Sequence, residues 1–114
     1  MLQTAAYTEC IDSFDGFFQN LTRVQGSFEI RQNEPIRNFG SGFSSLNAVG
    51  NTLQVDNNHN LGSLVPGLDS LQSVGSFNIY SNPSLVACKS LRDRFVTISG
   101  NQNPRIEFAA VTTC

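Results

Sequence analysis

The spacing of apolar positions repeats along the chain. Leu21, Val24, Phe28, Ile30, Asn33, Ile36 and Phe39 recur after a shift of 25 residues as Leu46, Val49, Leu53, Val55, Asn58, Leu61 and Leu64. A third pass from Leu71 gives Val74, Phe77, Ile79, Asn82, Leu85 and Cys88 once one residue is deleted beside Gly75. A fourth, shortened pass from Leu91 keeps Val96, Ile98 and Asn101 and fades around Pro104. A fixed period of this length marks stacked units, none of which can bury its apolar face alone.

Within each unit, Phe28-Glu29-Ile30, Leu53-Gln54-Val55, Phe77-Asn78-Ile79 and Val96-Thr97-Ile98 alternate apolar, polar and apolar, the mark of a half-buried strand. The triplets are too short to stand alone, so they predict a parallel sheet whose strands stack about 4.8 Å apart. The Leu21-to-Val24 and Ile36-to-Phe39 spacings fill a second and a third side of each coil. The expected fold is mainly β, a parallel β-solenoid of about four coils. A short C-terminal helix is expected at about 86–95, where Leu85, Cys88, Leu91 and Phe95 follow the helical period. Residues 1–13 read as an N-terminal cap, 14–103 as the solenoid and 104–114 as a C-terminal cap or tail.

Asn33, Asn58, Asn82 and Asn101 each follow the last strand aliphatic by three residues, where the chain must turn. A side-chain amide there is expected to bond the backbone of its own turn and of the adjacent coil, forming a structural ladder. Gly26, Gly50 and Gly75 precede the strands and predict tight or positive-φ corners.

Composition adds the setting. Hydrophobic residues make up 39% and charged residues only 14%, so a core is available while Asn, Ser, Gly and Gln replace the usual charge. A net charge of −2 without Lys/Arg runs argues against a nucleic-acid partner. No apolar run reaches the ~20 residues of a transmembrane segment. The start lacks a basic region and a long apolar stretch, so it does not read as a signal peptide, and an end at Cys114 reads as an excerpt of something longer. The sequon Asn20-Leu21-Thr22 makes Asn20 a glycosylation candidate. With the Lys-poor composition it points to an extracellular or cell-surface location. Cys10, Cys88 and Cys114 leave open one bridge with a free thiol, three thiols, or an outside partner. Cys88 fits a core slot as a small hydrophobe, yet a Cys88–Cys114 disulfide tying the tail over the last coil is the favoured pairing.

Catalytic chemistry finds little footing. His59, the only histidine, lies in a polar turn, and Asp12, Asp15 and Gly16 lack the rest of a calcium loop. The spacing of zinc sites and phosphate cradles is missing, so neither a metal nor a cofactor is expected. Outward strand positions form two columns, Glu29, Gln54, Asn78, Thr97 and Arg31, Asp56, Tyr80, Ser99. One carboxylate per column does not supply the acid pair of a glycosidase. Arg31 beside Asp56 is an expected cross-strand pair. The columns read either as a solvated face or as a flat polar recognition surface anchored by Tyr80.

Phe43-x-x-Leu46-x-x-Val49-Gly50-x-x-Leu53-x-Val55-x-x-Asn58-x-x-Leu61-x-x-Leu64, followed by Gly67-Leu68-x-x-Leu71-x-x-Val74-Gly75, resembles the receptor L domain. That is the leucine-rich ligand-binding module of insulin-receptor and epidermal-growth-factor-receptor ectodomains, also seen in fungal glycolipid-anchored cell-wall proteins and other microbial surface proteins. The resemblance covers about residues 14–101. It implies a right-handed solenoid, an extracellular setting and a role in recognition or surface architecture. Receptor-type domains are usually longer and richer in cysteine, so the microbial and fungal proteins stand nearer. The expected function is a non-enzymatic recognition or adhesion module for a protein or glycan ligand. Alternatives are a self-associating structural subunit of a cell wall or filament and, last, a glycan-active enzyme.

Overall fold

A computed structural model describes residues 2–3, 18–64, 68–100 and 104–113 of the chain. It is mainly β, with parallel sheets and, among the described residues, a single short helix. The strands are β1 (Leu2–Gln3), β2 (Arg23–Val24), β3 (Phe28–Arg31), β4 (Ala48–Asp56), β5 (Ser73–Tyr80) and β6 (Val86–Cys88). After the helix α1 (Lys89–Ile98) come β7 (Arg105–Ile106) and β8 (Ala110–Thr112). One sheet runs β1-β3-β4-β5-β7, with β2 also on β4, and β6 pairs β8 in a second.

Register follows the sequence repeat. Phe28, Leu53 and Phe77 align, as do Ile30, Val55 and Ile79, and all six are buried. The period-2 pattern therefore turns alternate residues of β3, β4 and β5 into the core and leaves the residue between them part-exposed. Val49 pairs with Val74 but Thr52 pairs with Ser76, so the register slips by one residue between them. This irregularity sits where the sequence repeat needed its deletion, beside Gly50 and Gly75. Those glycines are not positive-φ corners; among the described glycines only Gly40 has positive φ. Backbones instead pass too close for a side chain. A Cβ on Gly50 would lie 2.1 Å from the Gln25 carbonyl oxygen, and one on Gly75 2.5 Å from those of Gly50 and Asn51.

The asparagines join successive repeats. Asn58 Oδ1 accepts the Asn33 N–H at 3.0 Å, and its Nδ2 donates to the Ile30 carbonyl at 3.0 Å. Asn82 repeats the pattern one unit on, accepting from the Asn58 N–H at 3.1 Å and donating to the Val55 carbonyl at 2.8 Å. Each amide thus reaches back to the preceding repeat, while Asn82 also bonds its own turn at Tyr80. All three are buried, where an unpaired backbone group costs about 1–3 kcal/mol. Asn101 lies outside the described residues. Three residues past Ile106, which pairs with Ile79, stands Ala109, so that place in the register carries no amide.

The C-terminal part departs from expectation. Helix α1 begins at Lys89 rather than 86, and Val86–Cys88 is strand. Val96-Thr97-Ile98 is the last turn of α1 and not a fourth strand. Three alternating residues are too few to outweigh packing: Leu91 and Phe95, one helical turn apart, are buried together, and Phe95 stacks on Phe77 at 4.6 Å between centroids. The strand beside β5 is β7, and the segment 104–114, expected as a cap or tail, supplies both β7 and β8. At the other end, Phe28 and Phe39 meet Phe43 edge-on at 4.8 and 5.6 Å.

Replacing Asn58 with Ala strips two buried backbone groups of their partners in one step. The substitution is expected to lower the free energy of unfolding by about 2–5 kcal/mol, read from urea denaturation monitored by circular dichroism.

Candidate functional site

Two surfaces bring chemistry-bearing side chains together. The first is the outward strand face. Glu29, Gln54 and Asn78 align there as expected, and Arg31, Asp56 and Tyr80 align beside them. Arg105, in register with Asn78, takes the place expected for Thr97. Thr97 is an exposed residue of α1, donating to the Asp93 carbonyl, and Ser99 bridges Val74 instead of continuing the second column.

This face is occupied by its own pairings. Asp56, expected in solvent, is fully buried. Its carboxylate accepts from Gln54 Nε2 at 2.9 Å and Asn57 Nδ2 at 2.6 Å, and Arg31 Nε lies 3.0 Å away. Arg31 Nε is itself buried and makes no hydrogen bond, so its role toward Asp56 is electrostatic. Arg31 also approaches Glu29 at 3.7 Å. Further along, the Arg105 guanidinium covers the Tyr80 ring at 4.1 Å and pairs with Glu107 at 2.8 Å. The hydrogen bond that Arg105 donates to Glu107 raises the Arg105 pKa above its ordinary value. Tyr80 is therefore half-buried under a cation, not a free anchor.

The second surface lies at the asparagine corner. Gln32, Asn57 and Ser81, each just ahead of a ladder asparagine, have φ of 54°, 57° and 55°. Left-handed backbone costs a residue other than Gly about 1–2 kcal/mol, yet all three repeats keep a side chain here. With Glu34, His59 and Pro83 two residues on, they line an open groove of about 600 Å³. It abuts a smaller hollow of about 220 Å³ lined by Ser81, Asn82, Pro83, Glu107, Phe108 and Ala109. Sequence reasoning missed this groove, although His59 is the solvated turn residue it expected. The available signal was the polar residue recurring immediately before each ladder asparagine.

Of the remaining expected sites, Asn20 is exposed in a turn. Cys88 is half-buried and disulfide-bonded; Cys10 and Cys114, the other cysteines, lie outside the described residues, as do Asp12, Asp15 and Gly16. Among the described residues no cluster of His, Cys, Asp or Glu could hold a metal ion, and no helix is long and apolar enough to cross a membrane. No family model, curated protein or solved structure matches the chain.

The two arginines of the strand face should differ in weight. Arg31→Ala leaves the buried Asp56 carboxylate without its cation and is expected to cost about 3 kcal/mol. Arg105→Ala breaks an exposed pair and should cost about 1 kcal/mol or less. Paired denaturation curves measure the difference.

Proposed function

We propose that this chain is an extracellular recognition module, non-enzymatic, built on a right-handed parallel β-solenoid of the receptor L-domain kind. The solenoid reading is supported by strand partners 24–27 residues apart and by backbone bonds between repeats away from the main sheet. Examples are Gly62 N–H to the Arg37 carbonyl and Val86 N–H to the Gly62 carbonyl. The observation that carries recognition is the corner groove, where Gln32, Glu34, His59 and Ser81 stand with their side chains unspent among the described residues, while Arg31, Asp56, Arg105 and Glu107 on the strand face pair with one another. Against catalysis, Glu29 and Asp56 share Arg31 and Glu107 is held by Arg105, so those carboxylates do not form the facing acid pair of a glycosidase.

A structural subunit is the second reading, and one observation favours it. Strand β8 is exposed along its length and uncharged, and Val86 and Val111 are among the exposed large hydrophobics. Such an edge is a template for strand addition. A recognition module is expected to sediment as a monomer and bind members of a mixed array of glycans and receptor ectodomains. Polymers in electron micrographs, with no array binding, would establish the structural reading instead.

The Cys88–Cys114 pairing belongs to the same proposal. Cys88 pairs in register with Thr112, two residues before Cys114, so the bond would tie β8 to β6. Peptide mapping without reductant should return the Cys88–Cys114 peptide; a Cys10–Cys88 peptide rejects that assignment.

A further inference from the structure

The groove at the asparagine corner has a chemistry narrower than recognition in general. We propose that it binds an extended, neutral, β-linked glycan lying across the repeats, an inference that rests on the recognition reading above.

The first support is backbone strain that recurs. Gln32, Asn57 and Ser81 hold left-handed φ in three successive repeats, a conformation glycine adopts freely. Strain of this kind concentrates where a side chain is needed for function. Side chains at these positions recur at the sheet spacing of about 4.8 Å, close to the advance per sugar of an extended β-linked chain. Successive sugars can therefore meet successive repeats in the same way.

The second support is hydrogen-bonding capacity left unspent. Among the described residues, the side chains of Gln32, Glu34, His59 and Ser81 make no hydrogen bond. They offer a carboxamide, a carboxylate, an imidazole and a hydroxyl, a mixture of donors and acceptors that matches sugar hydroxyls, which both give and accept. Among the described residues no Lys or Arg lines either hollow, and Glu34 would repel an acidic polysaccharide. At the far end, half-buried Phe108 and exposed Pro83 supply apolar surface for the C–H face of a pyranose ring.

A peptide fits less well. Peptide recognition draws on an open strand edge or on deep apolar pockets. At this corner three backbone N–H groups are already used: Gln32 donates to the Asp56 carbonyl, and Asn33 and Asn58 donate to the ladder amides.

The test is calorimetric titration of the full chain with soluble β-linked gluco- and chito-oligosaccharides, with an α-linked glucan and a polyuronate as controls. Binding should be confined to the β-linked neutral sugars. The double variant Gln32→Gly/Ser81→Gly removes two side chains while giving the backbone the residue its φ prefers, so its thermal midpoint should hold or rise. Its affinity should fall about tenfold or more. Asn78→Ala, on the strand face, should bind like the parent. The inference is overturned if no β-linked sugar binds, if the polyuronate binds more tightly, or if the glycine variant keeps parental affinity. A chain that binds an ectodomain or peptide and no glycan overturns it while leaving recognition standing. Polymerisation without any binding overturns both.

Discussion

The structure depends on one reciprocal contact, the ladder amide that accepts from one backbone N–H and donates to one backbone carbonyl of the preceding repeat. Strand pairing alone fixes neighbouring repeats along one side. A corner has no strand, and its buried polar groups would otherwise go unsatisfied at about 1–3 kcal/mol each. Asn is suited because its carboxamide carries a donor and an acceptor on one planar group. Asp would lose the donor, and Ser lacks the second arm. The residue ahead of each ladder asparagine, Gln32, Asn57 and Ser81, holds left-handed backbone, and these three residues help line the groove.

The ladder also explains how the repeat tolerates a change of length. Between Val49 and Thr52 the register against β5 slips by one residue, yet Asn58 and Asn82 bond their predecessors in the same manner. The slip is taken up at Gly50 and Gly75, where only hydrogen can occupy the space facing the neighbouring carbonyls. Glycine here serves close approach, a steric role separate from conformational freedom.

Much of this was legible in the sequence, because a repeated residue type at a repeated position averages out local ambiguity. Strands β3, β4 and β5, the ladder positions Asn33, Asn58 and Asn82, and the one-residue deletion could be read from spacing. The last repeat could not. There the pattern survives in only a few residues, and Val96-Thr97-Ile98 alternates as well in a helix end as in a strand; the stacking of Phe95 on Phe77 decides between them. Strand β7 was hidden because Arg105-Ile106 follows Pro104 and lacks a ladder asparagine. The burial of Asp56 was hidden too, since a pairing rule identifies Arg31 as partner without saying which of the two is covered. The groove escaped because φ is not written in residue type when the residue is not glycine.

The long separation between strand partners has a further consequence, for how the molecule assembles. Every parallel pair joins residues 24–27 apart, so no strand finds its partner through a local hairpin. Each pairing first closes a loop of that length, which makes the topology non-local and the folding slow for so small a chain. The longest pairing, between β4 and β5, recovers the most contact for one closure. Each further repeat that joins an existing edge meets a similar entropic cost, since its closure is of similar length.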